Sequence, residues 1–394
     1  FTAPSDRFNI GVVGLGAQSG GLIERMSKIS DARIIAGCDI HQKRLNRFRK
    51  LIDNEYDKYE IKGKALIYED FDKLIENPNI DGVIVSTPDH WHAIPSINAM
   101  KAGKHVYCEK PMSHTIQEGR AMVKTARKYN RILQTGSMQR SRADFRKACE
   151  LVRNGYIGKI EKVWIEVGNP SAPCNLPFQE TPDYLDWDRW LGPAPLRSYH
   201  NIIVEKDWFP NWRWYREFGG GILSDWGAHM FDIVQWALGM DHTGPIKYEA
   251  PMEPTASRGL MMYYDNGIEV EHRNFGRGFA VRFFGSKGTL DISRSFFETN
   301  PKELLNVKLK STDIKLYVSE SHENDWITSA KNGSKPICDV EVGHRTATVC
   351  HIANLAYEYR RPLNWDPFKE EFIDDFEANL RRAKRYRKPY ELKL

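Results

Sequence analysis

Short apolar strands alternate with helices along the first third of the sequence, and this alternation restricts the possible folds more than any other feature. The predicted strands are 8–13, 32–38, 82–86, 105–108 and 132–134, and the predicted helices are 23–28, 71–76, 93–102 and 117–129. Strands with unbroken apolar runs are buried on both faces, so βα alternation indicates a parallel sheet covered by helices on both sides. Residues 1–135 are therefore predicted to form a doubly wound α/β domain.

The pattern changes after Gln139, and a chain of 394 residues is long enough for a second domain. A helix is predicted over 145–154 and a strand over 159–167, followed by an irregular Pro- and Trp-rich stretch over 169–215. Apolar alternation with glycine turns over 267–292 indicates an antiparallel or mixed sheet, one face of which is available for subunit contact. From about Glu341 we expect mostly helix. Residues 136–394 are assigned to this second domain.

Composition excludes several classes of function. The sequence contains no run of 18 apolar residues, so it predicts no membrane span. The net charge is only +5, and the basic run 381–388 follows acidic residues in a predicted helix, which indicates a solvated helix face rather than a nucleic-acid site. The six cysteines are scattered without a C-x-x-C pair, so neither a zinc site nor a disulfide framework is predicted.

A glycine-rich turn follows the first strand and opens the first helix. Gly14 and Gly16 permit a tight turn and a close approach of the backbone to a pyrophosphate, which a helix N-terminus attracts. Ser19 stands where a third glycine is usual. Asp39 ends the second strand, where an acid binds the ribose hydroxyls and disfavours a 2′-phosphate. We therefore predict NAD(H) because of Asp39, and Lys43 and Arg44, which follow closely, keep NADP(H) as the less favoured alternative.

Three further residues have the properties of acid/base groups. Asp225 and His229 are four residues apart, which places them on one face of a helix, directly after the glycine run 219–221. Lys110 precedes a proline at the end of a predicted strand, the edge of the sheet where such folds bind ligands. His90 and His92 resemble a metal pair, but residues two apart on a helix do not face each other, so no metal site is predicted.

Tryptophan gives the best indication of the substrate. Seven of the eleven tryptophans fall in one window: Trp187, Trp190, Trp208, Trp212, Trp214, Trp226 and Trp236. Aromatic faces stack on the apolar face of a pyranose, and Arg213, Tyr215 and Arg216 are candidates for bonding its hydroxyls. Most of these tryptophans are expected in the core, with two or three reaching the cleft.

These motifs together resemble the Gfo/Idh/MocA oxidoreductases, the glucose–fructose oxidoreductase and inositol dehydrogenase group. The resemblance is carried by Gly14-Leu-Gly16, Asp39, Ser86-Thr-Pro-Asp-His90, Glu109-Lys-Pro111 and Asp225-x-Gly227-x-His229, in the expected order along both halves of the chain. It implies a Rossmann domain followed by an α/β domain with a large open, mostly antiparallel sheet that forms homodimers or homotetramers.

The resemblance also implies roles for individual residues. Lys110 and His229 would be catalytic, with Asp225 supporting the histidine. These three residues would contact the substrate together with Trp212, Arg213 and Tyr215, which the tryptophan-rich pattern indicates. The expected cofactor-binding residues are Gly14, Gly16, Ala17, Gln18, Ser19, Asp39, Arg44, Ser86, Thr87, Pro88, His90, Glu109, Lys110 and Gln139. Which of Lys110 and His229 takes the proton stays open.

Two later segments, 187–195 and 364–367, are similar to those of exported members of the family from Bacteroidetes-type bacteria. On that analogy Phe1–Asp6 would follow a cleaved export signal, which implies a periplasmic or exported protein, with a cytoplasmic location as the alternative. The expected function is an NAD-dependent oxidoreductase acting on a secondary hydroxyl of a sugar, glycoside or polyol. The alternatives are a redox-neutral glycosidase that oxidises C3 transiently, and a non-catalytic sugar-binding or regulatory protein.

Overall fold

The computed structural model describes residues 7–58, 63–205 and 211–392. The proposed export-signal junction at Phe1–Asp6 and the aromatic side chain of Trp208 therefore lie outside the described residues. Two sheets organise the rest, and each has helices packed against it. This arrangement confirms the predicted fold class.

The N-terminal sheet has six parallel strands in the order β3-β2-β1-β4-β5-β6. Its strands are β1 (Phe8–Val13), β2 (Ala32–Cys38), β3 (Leu66–Tyr68), β4 (Gly82–Val85), β5 (His105–Cys108) and β6 (Leu133–Thr135). Its helices are α1 (Ala17–Ser27), α2 (Gln42–Lys58), α3 (Phe71–Ile75), α4 (Ala93–Lys101) and α5 (Ile116–Lys128). All four residues of β4 are buried, as the unbroken apolar pattern predicts for a strand covered on both faces.

The second sheet has nine strands in the order β13-β12-β11-β7-β10-β9-β8-β14-β15. Its strands are β7 (Ile160–Glu166), β8 (Lys247–Glu249), β9 (Leu260–Tyr263), β10 (Glu269–His272), β11 (Ala280–Gly285), β12 (Gly288–Ser293), β13 (Phe297–Asn300), β14 (Leu363–Asp366) and β15 (Glu371–Phe372). The pairing is antiparallel except between β7 and β10.

Helices α6 (Ala143–Arg153), α9 (Gly221–Leu238) and α11 (Val340–Tyr359) cover one face of this sheet. The remaining helices are α7 (Trp187–Leu191), α8 (Asn201–Val204), α10 (His322–Asn332) and α12 (Phe376–Leu380). Trp326 of α10 is fully buried and joins Phe8 and Tyr107 in the core of the N-terminal sheet. Because this helix comes from the second half of the sequence, the two halves share a core. Within the described residues, no helix combines the length and the apolar character needed to cross a membrane.

Two expectations about the end of the chain are wrong. After α11 the chain returns to strand, because Leu363 and Trp365 alternate inward and extend the sheet beside β8. The basic run 381–388 is not helical, since α12 ends at Leu380. Ion pairs with residues distant in sequence fix the conformation of this stretch instead, and one of them joins Lys384 to Glu118. These contacts draw the segment across the N-terminal domain.

Candidate active site

A cavity of about 330 Å³ lies at the carboxyl end of the parallel sheet. The strand order reverses there between β1 and β4, the position where doubly wound sheets bind ligands. The predicted site residues in its wall are Gly14, Gly16, Ala17, Gln18, Asp39, Arg44, Ser86, Thr87, Pro88, Glu109, Lys110, Trp212, Arg213 and Asp225. The fold thus brings candidate cofactor and substrate residues from both halves of the sequence into one cavity.

The glycine turn fits a dinucleotide pyrophosphate. Gly14 has φ +88°, and a β-carbon there would lie 2.7 Å from the backbone nitrogen of Thr87. A β-carbon at Gly16 would meet no protein atom within 4 Å, so the absence of a side chain leaves room in the cavity beside the backbone. Gly16 is also the N-cap of α1, where no side chain caps the helix. The free N–H groups of that first turn are suited to phosphate oxygens.

Asp39 and Arg44 line the part of the cavity beyond the glycine turn. The two carboxylate oxygens of Asp39 accept hydrogen bonds from the backbone nitrogens of Leu15, at 2.7 Å, and His41, at 3.0 Å. These bonds fix the acid at the end of β2. The Arg44 guanidinium donates to the carbonyl of Val204 at 3.0 Å. The Asp39 carboxylate is therefore held in the cavity wall, while the Arg44 guanidinium is bonded to the second half of the chain.

Lys110 and Asp225 form an ion pair inside the cavity. Lys110 Nζ donates to both Asp225 Oδ1 and the Asp225 carbonyl, each at 2.8 Å, and Arg213 Nε lies 3.3 Å from the same Oδ1. Burial opposes ionisation of the Asp225 carboxyl, but Lys110 and Arg213 outweigh it and hold its pKa below the ordinary value. Asp225 is thus an anion that fixes the amine of Lys110 in position.

The backbone at Gly221 explains how Asp225 reaches that position. Gly221 has φ +70°, and a β-carbon there would lie 2.5 Å from the nitrogen of Ser171. Only glycine combines that conformation with so close an approach. The chain enters α9 at this residue, and Asp225 lies one turn later on the face toward Lys110.

Asp89 is a cavity residue that sequence analysis passed over, although it lies within the quoted Ser86–His90 motif. Its side chain is 5% exposed and lines the cavity. Burial, reinforced by the charge of Asp225 and opposed by Arg213 and Lys110, raises the pKa of Asp89 to about 8. Asp225 and Asp89 therefore lie in the same cavity wall in different protonation states at neutral pH, the first ionised and the second protonated.

His229 lies one turn beyond Asp225 on α9, and its imidazole contacts a residue that the sequence did not indicate. Arg294 Nη2 lies 2.9 Å from His229 Nε2. Burial, followed by the positive charges of Lys110 and Arg294, lowers the pKa of His229 well below its ordinary value. The structure thus pairs Asp225 with Lys110 and Arg213, and His229 with Arg294.

The wall of the cavity leaves out six predicted residues: Ser19, His90, Gln139, Tyr215, Arg216 and His229. Ser19 Oγ donates back to the carbonyl of Gly16 at 2.7 Å, and His90 Nε2 lies 3.0 Å from the carbonyl of Trp190. Gln139 is buried in a single 3₁₀ turn after β6, and Tyr215 packs into the cluster around Trp190. Their roles in binding stay predictions.

Of the tryptophans clustered in the sequence, Trp190 and Trp212 line the cavity. Residues 211–214 form a short 3₁₀ helix, not an extended strand, so Trp212 points inward while Trp214 is 47% exposed. Trp226 instead stacks on Phe279, with ring centroids 4.0 Å apart.

The C-terminal segment also contributes to the cavity, through Pro389, Tyr390 and Glu391. Arg387 Nε donates to the carbonyl of Gly192 at 3.0 Å, and the Tyr390 hydroxyl donates to Asp188 Oδ2 at 3.1 Å. These bonds tie residues 387–391 to Asp188 within α7 and to Gly192 just after it. No motif indicated this wall, because its anchors lie about two hundred residues earlier in the sequence.

Comparison with known proteins agrees with this geometry. Residues 8–137 match the oxidoreductase family described as an NAD-binding Rossmann fold, and residues 168–392 match the oxidoreductase family C-terminal alpha/beta domain. The second match alone covers more than half of the chain.

Two curated relatives share parts of the sequence. Myo-inositol 2-dehydrogenase of Thermotoga maritima is 34% identical over 230 residues, which is 58% of this chain and 54% of that protein. A glycosyl hydrolase family 109 protein of Solibacter usitatus is 34% identical over 131 residues, 31% of this chain and 28% of that protein. The chain thus spans about half the length of the first relative and less of the second.

A solved structure shares the whole fold. Scyllo-inositol dehydrogenase from Lactobacillus casei, with bound cofactor NAD(H) and scyllo-inositol, superposes with a TM-score of 0.61 over 91% of this chain and 99% of that chain. At 20% sequence identity this likeness shows the fold alone. The two family matches, in the same order as the two sheets, identify this chain as a member of the Gfo/Idh/MocA family of NAD-binding oxidoreductases.

Proposed function

We propose that this protein is an NAD-dependent oxidoreductase that transfers a hydride between nicotinamide and a secondary hydroxyl of a sugar, glycoside or polyol. One observation carries the proposal: the Lys110–Asp225 pair lies in the same cavity as the glycine turn and Asp39. An acid/base group and a dinucleotide cradle in one cavity are the two parts that alcohol oxidation requires. The names of the inositol dehydrogenase relatives support the substrate class.

The chain's own residues have separable tasks in this reaction. A bound NAD would accept the hydride that leaves the carbinol carbon. In its neutral form the Lys110 amine takes the hydroxyl proton during oxidation while its two N–H groups still donate to Asp225, and the resulting ammonium returns the proton during reduction. Asp225 holds that amine through the 2.8 Å bond, and Arg213 holds Asp225 from the other side.

The choice of NAD over NADP rests on Asp39. Its carboxylate is fixed in the cavity wall by two backbone N–H groups, where it would repel a 2′-phosphate and accept bonds from ribose hydroxyls. Lys43 and Arg44 are the cations nearest in sequence: the Lys43 amine lies 3.6 Å from the centroid of the Tyr184 ring, and the carbonyl of Val204 engages the Arg44 guanidinium. NADPH binding tighter than NADH binding, measured by titration, would overturn this assignment.

A carbohydrate substrate is supported by the other side of the cavity. Trp212 and Arg213 line it together, and the Arg213 guanidinium carbon lies 4.3 Å from the centroid of the Trp212 ring. An indole face beside a multidentate donor matches a sugar, which has an apolar C–H face and hydroxyls at its rim. Trp190 adds a second aromatic wall.

The first experiment is to denature the purified protein, identify any released nucleotide, and screen sugars, glycosides and polyols for NADH formation with added NAD. Stoichiometric NADH that a Lys110→Ala variant fails to form would support a dehydrogenase. Lys124, an exposed lysine of α5, provides the matched control variant Lys124→Ala. Unchanged turnover in Lys110→Ala would overturn the catalytic assignment, and sugar binding without any turnover would favour the non-catalytic alternative.

A second candidate is a redox-neutral glycosidase that retains NAD, oxidises C3 transiently, eliminates the aglycone and then returns the hydride. The observation that favours it is the contribution of Pro389–Glu391 to the cavity wall, a position from which the segment would slow cofactor exchange. The partial likeness to a glycosyl hydrolase family 109 protein points the same way. Aglycone release without net NADH, from protein that retains its nucleotide on purification, would select this candidate over a dehydrogenase.

A further inference from the structure

Arg294 directly follows β12, the strand next to the edge strand β13 of the second sheet, and its side chain reaches α9, the helix that carries Asp225 and His229. Its Nη2 atom lies 2.9 Å from His229 Nε2, although the two residues are 65 positions apart in sequence. We propose that Arg294 is a positioning residue for His229: it fixes the imidazole tautomer and withholds the Nε2 lone pair, so that Lys110 takes the substrate proton. The inference about the His229 tautomer depends only on its contact with Arg294, whereas the inference that Lys110 takes the proton rests on the proposed function.

The direction of the hydrogen bond follows from the chemistry of the two groups. A guanidinium has five N–H donors and no acceptor. His229 Nε2 must therefore accept, and the single proton of a neutral imidazole must be on Nδ1. The charged and titratable groups that act on this ring are Lys110, Arg294 and His322, and with burial they favour the neutral form. Within the described chain, Nδ1 is buried and has no hydrogen-bond partner.

Aromatic packing holds Arg294 in this place. Its guanidinium carbon lies 4.6 Å from the centroid of the Trp226 ring, and Trp226 stacks on Phe279 with an interplanar angle of 4°. The edge of His229 meets the same indole, with ring centroids 5.7 Å apart. Arg142 Nη2 also donates to the Arg294 carbonyl at 3.2 Å, which fixes the backbone. The contact with His229 is thus supported by Trp226 at the guanidinium and by Arg142 at the backbone of Arg294.

This arrangement separates the two acid/base candidates. While Arg294 engages Nε2, that nitrogen has no lone pair to accept the proton of a substrate hydroxyl. The Lys110 amine is held separately, by Asp225. Oxidation is then balanced: the hydroxyl proton passes to the neutral Lys110 amine, which becomes an ammonium, and the carbon-bound hydrogen would leave as a hydride to a bound nicotinamide. His229 contributes orientation rather than proton uptake.

The direct test is nitrogen-15 NMR of the full chain, with histidine labelled in the imidazole ring and the His229 signals assigned by their loss in His229→Gln. We expect wild type to show a protonated Nδ1 and an unprotonated Nε2, and Arg294→Met to move the proton to Nε2 or mix the two forms. A wild-type proton on Nε2, or a tautomer unchanged in Arg294→Met, would overturn the proposal. If Arg294→Met fails to fold, Arg294→Lys and the wild-type spectrum decide.

Kinetics supply a second readout. We expect Arg294→Met to lose about 10- to 100-fold in kcat with little change in KM, and Arg294→Lys to recover part of the loss, because lysine also donates. Arg361→Met is the matched control, since Arg361 also lies over an aromatic ring, 4.8 Å from Tyr359, but remote from the cavity. If no sugar is turned over by wild type, the proposed function fails, while the NMR result still decides the tautomer.

Discussion

At the scale of single residues, two carboxyl groups in one cavity differ in protonation because their neighbours differ. Asp225 has two cations within 3.3 Å, which hold its pKa low despite burial. Asp89 is as deeply buried but feels Asp225 as a like charge, and its pKa rises to about 8. Pairs of titratable groups pushed apart in this way are typical of acid/base sites.

Replacing Asp225 by asparagine keeps the volume but removes the charge that orients Lys110. We expect kcat to fall by about 100-fold or more, with NADH affinity nearly unchanged, because the cradle of the dinucleotide is elsewhere in the cavity. The measurements are steady-state kinetics and NADH titration. Asp241→Asn is the control: Asp241 also pairs with a buried arginine, Arg140, but lies outside the cavity wall. Equal loss of activity in both variants would mean that the effect is general destabilisation.

Asp89 predicts a specific dependence of stability on pH. Between pH about 4 and about 8 the unfolded chain loses the Asp89 proton while the folded chain keeps it. The unfolded state then binds fewer protons, so this group lowers the free energy of unfolding as pH rises through that window, with no further loss above about 8. Asparagine has no titratable proton, so it does not contribute to this dependence on pH. Urea unfolding at several pH values should therefore show Asp89→Asn gaining stability relative to wild type from pH 5 to 8. A constant difference between the two curves would contradict the assignment.

At the scale of elements, the turn between β1 and α1 contains two glycines with different reasons for being glycine. A side chain at Gly14 would clash with backbone atoms of Ser86 and Thr87, and the positive φ of this residue adds strain. Gly14→Ala should therefore lower the free energy of unfolding by about 1–3 kcal/mol.

A side chain at Gly16, in contrast, would meet only the open cavity. Gly16→Val should therefore leave stability nearly unchanged and weaken NADH binding by about tenfold or more, equivalent to about 1.4 kcal/mol. Thermal unfolding and NADH titration measure the two effects, and the reverse pattern would contradict this interpretation.

Local sequence predicted most of the parallel sheet because its strands are short, continuous apolar runs that need no knowledge of their partners. Helix α2 was missed although Leu45, Phe48, Ile52 and Tyr56 recur at helical spacing and are all buried. Strand β14 could not be predicted from local sequence. It is a segment of four residues that follows a long helix, and it forms a strand only because it pairs with β8. Arg294 escaped prediction for the same reason: only the register of the second sheet brings it to His229.

At the scale of the whole molecule, contacts between distant segments complete the cavity. Arg120 of α5 bonds Glu341 of α11 and also Glu370, which joins the helices of the two halves. Trp326 inserts from α10 beneath the first sheet. These contacts hold Lys110, on one half, within bonding distance of Asp225, on the other. When the sequence is divided into two independent domains, it identifies Lys110 and Asp225 as site residues but does not predict that they lie within bonding distance of each other.

The chain end should therefore control the exchange of NAD. Arg387 anchors the segment that carries Pro389–Glu391 into the cavity wall, through Gly192 and Asp188. Arg387→Ala removes these anchors without touching any residue of the Lys110 site, so we expect faster NADH release and an unchanged tautomer at His229. Stopped-flow displacement of NADH measures the release rate. Arg385, two residues earlier and exposed, gives the matched control Arg385→Ala. If both variants release NADH at the wild-type rate, the segment lines the cavity without slowing release. The structural support for a retained cofactor is then lost, and so is the support for redox-neutral turnover.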